Sequence, residues 1–345
     1  MVTYVYTRAS LPHIKKEQEN PQLATEPKVT IGICCYNAET TINAAIDSAL
    51  AQDWPNFEII CIDDASSDKS WSILSERSDD IPSVRAIRHE TNTGVAACRN
   101  RILSEASGDY ICFFDDDDVS AHTRITEQVY ALEHARTKLD RGAPTACYTA
   151  RLQFHEDGSV HEIPALGDRS MEQLPRGRPL FNRIFLGDYL ENGFGACATC
   201  SLLMRTTDLH ALGGFNETLR RSEDFDLVAR IALAGGAAIG LQQPLVKQKM
   251  TGGAEKSLHN ELEAALTLVD IHRRNFTSGR QYIFARYWMK MKFAWLWKSY
   301  MQCIGYLCIL VLIMPMRTTL RLLHSRRNIT ANLRAQQTFS HDRTD

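Results

Sequence analysis

The stretch that decides the fold is GDYICFFDDDDVS, Gly108 to Ser120, in which an apolar run leads directly into four consecutive aspartates. The run Tyr110–Phe114 predicts a short buried strand, with the carboxylates at its C-terminal end. Carboxylates crowded beside a hydrophobic core repel one another unless a cation lies among them. A solvated acidic turn is the alternative interpretation of such a run.

The chain before this stretch alternates between strand and helix patterns from Lys28 onward. Strands are predicted at VTIGICCY, FEIICID and SVRAIRH, and helices at AETTINAAIDSALAQ, from about Lys69, and at TGVAACRNRILSEAS. Three helical crossovers predict a parallel, doubly wound sheet, which binds ligands at the carboxyl ends of its strands. Polar side chains follow the predicted strands there: Asn37, Asp63 with Asp64, and the aspartate run. This context favours a clamp for a metal ion and a diphosphate over a solvated turn.

The chain after the aspartates predicts a helix over 120–140, short strands over 143–205, and a further helix in RSEDFDLVARIALAG. The first turn of that helix holds Glu223, Asp224 and Asp226. Ser222 as the N-cap before acidic residues would be favourable without any catalytic role, so helix capping is one interpretation of this block.

Charge is distributed unevenly in this 345-residue chain, whose length suggests two domains. Residues 1–270 carry 26 Lys and Arg against 39 Asp and Glu, whereas 271–341 carry 12 Lys and Arg and no acidic residue. The basic C-terminal part therefore predicts an anionic surface as its partner. The ten cysteines lack regular spacing and indicate reduced, buried thiols, and the CATC pair, Cys197 and Cys200, is interpreted as packing. The polar N-terminus has no apolar segment typical of a secretory signal.

The chain resembles family 2 of the glycosyltransferases, which have the GT-A fold, in four blocks that occur in the same order. Together the blocks span roughly residues 28–257. They are VTIGICCYNAETTINAAIDSALAQDWPNFEIICIDDASSDKS, NTGVAACRNRILSEASGDYICFFDDDD, GGFNETLRRSEDFDLVARIAL and, more weakly, QKMTGGAEKS.

The resemblance implies a nucleotide-diphospho-sugar donor, most often UDP-linked, and a divalent cation, Mn²⁺ or Mg²⁺. It places Asn37 at the nucleotide pocket, Asp64 on the base and Arg99 in support of the donor site. Asp115 and Asp117 form the D-x-D pair for donor and metal, and Asp116 can exchange roles with either. On the residues alone, Asn37 can instead cap the following helix, and Arg99 can simply pair with a carboxylate.

The resemblance also identifies Asp224 as the base that takes the proton from the acceptor hydroxyl in an inverting transfer. In one respect the chain departs from the family. The His that often follows the base helix and touches metal or diphosphate is replaced by Thr251, so Lys247, Lys249 or His259 is considered for that contact.

The C-terminal segment is aromatic and basic, and Ser299–Met316 carries no charge for 18 residues. Trp288, Trp295, Trp297 and Tyr300 are residue types typical of membrane interfaces. A membrane span, a re-entrant helix and an in-plane helix are all compatible with this pattern, because Gln302, Gly305 and Pro315 weaken a span. A helical pair packed on the enzyme or on a second subunit is the alternative.

The sequence and the resemblance together predict an α/β protein of GT-A fold: a flexible arm over 1–27, a catalytic domain over 28–270 and a membrane-associated helical tail over 271–345. The halves of the domain are 28–140 for the nucleotide-sugar and 141–270 for the acceptor. The predicted activity is metal-dependent hexosyl or N-acetylhexosaminyl transfer to a glycan or lipid-linked acceptor at the cytoplasmic face of the membrane. A homo-oligomer is compatible with the sequence, and no nucleic-acid partner is expected. The alternatives are a sugar-nucleotide pyrophosphorylase, disfavoured because YNAETT replaces a Gly-rich basic loop, and a catalytically degenerate donor-binding scaffold.

Overall fold

A nine-stranded mixed sheet forms the centre of the computed structural model, which describes residues 26–139, 142–168, 173–250 and 258–324. Nearly all of the predicted arm, 1–27, therefore lies outside the described residues. The strands are β1 Val29–Cys35, β2 Phe57–Asp63, β3 Val84–Arg88, β4 Tyr110–Asp115, β5 Asp118–Ser120, β6 Thr145–Phe154, β7 Val160–Ile163, β8 Leu202–Arg205 and β9 Ala237–Lys249.

The first four strands form the parallel half of the sheet, as predicted, in the order β3-β2-β1-β4. The order continues through β8, β6, β9 and β5, with antiparallel pairs at β4–β8, β8–β6 and β9–β5. In the register of the parallel half, Cys35 lies beside Asp63 and Cys34 beside Asp115. The carboxylates that end β2 and β4 therefore meet at one edge of the sheet, on either side of the end of β1.

Helices connect the strands and extend the chain beyond the sheet. Those within the α/β part are α1 Ile42–Leu50, α2 Ser70–Asp80, α3 Val95–Glu105, α4 Arg124–Arg136, α5 Gly177–Leu186, α6 Thr206–Ala211 and α7 Glu223–Leu233. They are followed by α8 Leu258–Ile271, α9 Gly279–Leu296, α10 Tyr300–Ile313 and α11, whose described part covers 315–324. The helices predicted from the sequence are confirmed within a few residues at their ends.

Apolar side chains fill both faces of the sheet and extend into the C-terminal helices. Phe284 and Leu310 lie in the same buried cluster as Phe113 of β4 and Phe185 of α5. Trp288 is also buried, against Phe284, so its predicted place at a membrane surface is wrong. The C-terminal helices are therefore packed directly on the α/β part of the chain.

The uncharged segment Ser299–Met316 does not form one long helix. α10 ends at Ile313, and α11 begins at the proline two residues later, because proline lacks the N–H that would continue the helix. Among the described residues, every helix falls short of the length and apolarity that a membrane crossing requires.

Candidate active site

A cavity of about 260 Å³ opens at the carboxyl ends of β1 and β4. It brings together five of the seven site residues predicted from the sequence. These are Asp64, Arg99, Asp115, Asp116 and Asp117, which line it together with Cys34, Cys35, Tyr36, Val95 and Cys98. The clustered aspartates therefore surround a concave site and are not a turn that points into solvent.

The acidic run bends at the end of β4, so that its four carboxylates have different surroundings. The backbone N–H of Tyr36 donates to Asp116 Oδ2 at 2.9 Å. Burial, together with repulsion from Asp115 and Asp117, raises the pKa of Asp116 to about 7. Asp118 on β5 is the most buried of the four, and its pKa is raised to about 8 by burial and by the same two neighbours. Burial and repulsion between the carboxylates are the physical cost of this arrangement.

The donor set of this cluster fits a divalent cation. Neither carboxylate oxygen of Asp118 has a hydrogen-bond partner among the described residues, although the side chain is only 2% exposed. One oxygen of Asp115, one of Asp118 and the Sγ of Cys200 lie within 4.8 Å of one another. Carboxylate oxygens are the ligands that Mg²⁺ and Mn²⁺ prefer, so Asp115 and Asp118, with Asp117 beside them, can hold such an ion.

Arg99 connects the aspartates to the start of α7. Its Nη1 lies 2.6 Å from Glu223 Oε1, and its Nη2 lies 3.5 Å from Asp115 Oδ1. The guanidinium is almost fully buried and lies over the rings of Phe113 and Phe215. The simple pairing considered from the sequence is therefore present, but with two carboxylates from two different sequence blocks.

Asn100, the next residue of α3, fixes the loop that leads to α7. Its side-chain amide donates to the carbonyl of Phe215 at 2.9 Å, and its Oδ1 accepts from the N–H of Phe215 at 2.7 Å. Gly214 allows this approach, because its φ is +69° and a Cβ there would lie 2.5 Å from Asn100 Oδ1. Two consecutive residues of α3 thus hold the two ends of this segment: Asn100 binds Phe215 in GGFNE, and Arg99 pairs with Glu223 in SEDFD.

Asp64 anchors the loop between β3 and α3. Its Oδ1 accepts from the N–H and the hydroxyl of Thr93, both at 2.9 Å, and His89 Nδ1 lies at the same distance. Its Oδ2 accepts from the N–H of Gly94 at 2.8 Å. Burial raises the pKa of Asp64, but these hydrogen bonds outweigh burial and hold the pKa below its ordinary value. The carboxylate is therefore ionised and rigidly held at the floor of the cavity.

Asn37 lies just outside the cavity, next to Tyr36. Its Oδ1 accepts from the N–H of Ser67 at 2.9 Å and from the hydroxyl of the same residue. Thr41, and not Asn37, occupies the N-cap position of α1. The helix-cap interpretation of Asn37 is therefore wrong, since the side chain instead holds together the two loops that follow β1 and β2.

Asp224 lies in the first turn of α7, next to the Glu223 that pairs with Arg99. Burial, and then repulsion from Glu223, raises the pKa of Asp224 to about 7. Ser222 precedes the helix with a left-handed backbone, φ +66°, and its side chain makes no capping hydrogen bond. The capping interpretation of this block therefore lacks its capping bond.

Asp226, two residues further along the first turn of α7, ties the helix to the C-terminal part of the chain. Its Oδ2 accepts from Arg230 Nε at 2.8 Å, and His272 Nε2 lies 2.9 Å from its Oδ1. The amide of Asn275 lies 3.1 Å from the other ring nitrogen of His272, which places the imidazole proton toward Asp226. Burial raises the pKa of Asp226, but the bonds from His272 and Arg230 outweigh it and lower the pKa overall.

We expect His272→Leu to lower the free energy of unfolding by about 2 kcal/mol, because a buried carboxylate loses one of its two partners. His272→Gln, which retains a donor, should recover part of that loss. The matched control is His259→Leu, since His259 pairs with Glu263 at 3.3 Å on an exposed face of α8 and contributes little. Urea denaturation of the three variants measures the difference, and equal effects at the two histidines would contradict the buried tether.

His259, one candidate for the contact that the family's histidine makes, has its imidazole on the exposed α8 surface against Trp297. Thr251 lies outside the described residues. On β9 the side chain that faces the cluster is Gln248, which accepts from Arg151 at 2.8 Å. Alternation along the strand directs Lys247 and Lys249 to the opposite face, and both are exposed.

Several residues of the site were not identified from the sequence. Glu223 and Asp118 stand in quoted motifs, but nothing in a single sequence separates them from their acidic neighbours. Phe215 is part of the GGFNE motif, but the sequence gives no indication of its contact with Arg99. His272 has no local signal at all, because its partner lies 46 residues earlier in the chain.

Comparisons with known proteins find similar sequences and similar folds. Residues 30–207 match the family model described as Glycosyl transferase family 2. The putative glycosyltransferase EpsE of Bacillus subtilis is 30% identical over 235 residues, which cover 67% of this chain and 76% of the relative. The Escherichia coli protein WfaP, a UDP-Glc:alpha-D-GlcNAc-diphosphoundecaprenol beta-1,3-glucosyltransferase, is 39% identical over 105 residues, or 30% of this chain and 41% of the relative.

The structure of S. aureus TarS residues 1–349 in complex with UDP-GlcNAc is similar in fold. It superposes with a TM-score of 0.57 at 18% sequence identity, and the match covers 91% of this chain and 92% of that one. At this identity the likeness concerns the fold, and it supports the predicted GT-A architecture.

Proposed function

Because the chain belongs to glycosyltransferase family 2, we propose that it transfers a sugar from a UDP-linked donor to a hydroxyl of a glycan or lipid-linked acceptor in cell-surface polysaccharide synthesis. The main support for this proposal is the double ion pair of Arg99. Its guanidinium joins Asp115 at the cavity to Glu223, which is next to Asp224. This bridge supports assigning the donor-binding acids and the expected base to one site. The relatives support the substrate class, since WfaP acts on UDP-Glc and a diphosphoundecaprenol-linked acceptor and TarS was solved with UDP-GlcNAc.

In this proposal the reaction is a single displacement with inversion. Asp224 accepts the proton of the acceptor hydroxyl while the acceptor oxygen forms a bond to the anomeric carbon and the bond to the diphosphate oxygen breaks. Asp64 is the residue expected to bond the nucleotide base, and it also holds the loop between β3 and α3, while Asn37 holds the loops that follow β1 and β2. Asp115, Asp117 and Asp118 would hold Mn²⁺ or Mg²⁺, which supplies electrostatic stabilisation of the leaving diphosphate.

We also propose that the protein is located at the cytoplasmic face of the membrane and that the segment 281–327 contacts the membrane surface. The basic excess of this segment and the absence of acidic residues in it support an anionic surface as partner. There a lipid-linked acceptor would be within reach of the active site.

A thermal-shift screen of UDP-, GDP- and dTDP-sugars, each with and without Mn²⁺, tests the donor and the metal together. We expect a UDP-sugar with Mn²⁺ to raise the Tm by several degrees, because a ligand at 100 times its Kd adds about 2.7 kcal/mol to stability. Asp117→Asn should remove the metal-dependent part of the shift, and Asp157→Asn, on the exposed turn after β6, is the matched control. Stabilisation that is equal with and without the ion would overturn the metal-dependent mechanism.

A further inference from the structure

One face of α10 is apolar and exposed although the other face is packed on the enzyme. Leu310 is fully buried, and Cys303, Tyr306, Leu307 and Met314 pack against the core. The opposite face is a continuous stripe at helical spacing, in which Met301 is 82% and Leu312 is 84% exposed. The stripe consists of Met301, Ile304, Cys308 and Leu312, and it continues on α11 with Met316, Leu320 and Leu323. A helix that is apolar on all sides is normally covered on all sides.

The surroundings of this stripe are those of a bilayer interface. At its N-terminal end Trp295, Trp297 and Tyr300 are exposed, and aromatic residues of these types are enriched at headgroup level. Lys298 lies among them, and long basic side chains at such positions reach back to the headgroups. The described residues 271–324 include nine Lys and Arg and no Asp or Glu, and two of the nine, Arg286 and Arg317, pair with Asp270 and Asp188 outside this range.

A second copy of the chain fits this face less well than a membrane does. Two copies that met through the stripe would bring the basic side chains of 271–324 together, and the acidic side chains Asp188 and Asp270 are already paired with Arg317 and Arg286. An anionic headgroup layer neutralises the same charges and covers the apolar stripe at the same time.

We propose that α10 and α11 lie in the plane of an anionic membrane, with the stripe from Met301 to Leu323 inserted at the boundary between headgroups and acyl chains. The helix lengths decide between the arrangements that the sequence leaves open, because α10 has 14 residues and about 20 are needed to cross the hydrocarbon core. An in-plane helix needs only one apolar face, and the other face here is occupied by the enzyme. This deepens the proposed membrane location without depending on the sugar or the acceptor.

Vesicle flotation of the full chain tests the proposal. We expect the protein to float with vesicles of phosphatidylcholine and phosphatidylglycerol, and to float less with phosphatidylcholine alone or at high salt. Met301→Glu and Leu312→Glu should each reduce the bound fraction by at least about tenfold, since they place a charge in the inserted stripe. Val160→Glu, at an exposed apolar position on β7, is the matched control and should float as the parent does.

Cys308 supplies a second readout at the stripe itself. It is the one exposed thiol among the cysteines, all of which lie in the described part of the chain. Its modification by a membrane-impermeant maleimide should slow by about tenfold when anionic vesicles are added. The difference in labelling between the parent and Cys308→Ser gives the part of the total labelling that is due to Cys308. Unchanged labelling with vesicles present would place the stripe outside the lipid and overturn the proposal.

Two further outcomes would also overturn the proposal. One is flotation of both Glu variants at the level of the parent. The other is a parent chain that does not float but sediments as a dimer that Leu312→Glu dissociates, which would assign the face to a second copy. Donor hydrolysis without vesicles is measured in parallel and should be the same in parent and Glu variants. A parent that lacks hydrolysis argues against the transferase and leaves the flotation result standing.

Discussion

Asp224→Asn is expected to reduce sugar transfer by about 10²–10⁴-fold while donor binding remains within about twofold of the parent. The amide occupies the same volume as the carboxylate but cannot accept the proton of the acceptor hydroxyl. Donor binding should survive because Asp224 does not line the cavity that Asp64, Asp115 and Asp116 line. Transfer is measured as product formed, and donor binding by titration calorimetry with UDP-sugar and Mn²⁺.

The pH profile is the second check on the role of Asp224. Burial and the neighbouring Glu223 raise the pKa of Asp224 to about 7, so the group loses its proton as the pH rises through that value. A base must be unprotonated to act. We therefore expect kcat/KM of the parent to fall about tenfold per pH unit below about 7. This dependence should be weaker in the residual activity of Asp224→Asn, where Asp116 and Asp118, whose pKa values are also raised, still titrate. The control Asp157→Asn should keep both the rate and the pH dependence of the parent. Full activity in Asp224→Asn would show that Asp224 has no part in the mechanism.

The parallel half of the fold could be predicted from the sequence because its signals are local. The apolar runs that become β1, β2 and β4 are each followed by polar residues, and parallel connectivity requires their carboxyl ends to meet. The region over 143–205 was less predictable. Its strands β6 and β8 pair with partners distant in sequence, and long-range pairing leaves no periodic signal in a short segment.

The site was predictable to the extent that each residue acts through its own motif. Asp115, Asp116, Asp117 and Asp64 line one cavity, as the positions of their strands required. The charge on Arg99 was evident, but its bridge depends on Glu223, which lies 124 residues away. Sequence spacing alone carries no information on such a contact. The same limit explains why Trp288 was assigned to the membrane surface, since aromatic residues occur both in cores and at interfaces.

Arg99→Met is expected to lower the free energy of unfolding by about 3–5 kcal/mol, because it leaves two carboxylates without their buried counter-charge. Methionine fills much of the same volume between Phe113 and Phe215, so the loss reports the charge more than the packing. Donor affinity should fall as well, since Asp115 loses the contact that positions it. The matched control is Arg101→Met on the same helix, which removes an exposed pair with Glu105 and should cost less than about 1 kcal/mol.

A double-mutant cycle separates charge compensation from a general loss of packing at Arg99. If the guanidinium chiefly neutralises Glu223, then Glu223→Gln removes most of the charge that Arg99 neutralises. Arg99→Met should then lower the free energy of unfolding by less in the Glu223→Gln background. We expect the two substitutions to be non-additive by about 1–3 kcal/mol in urea denaturation, whereas distant sites add within about 0.5 kcal/mol. Donor affinity should remain low in the double variant, because Asp115 still lacks its partner. Strict additivity would mean that Arg99 acts through packing on the two rings, and the bridge between the acidic strand end and the base helix would then have no energetic basis.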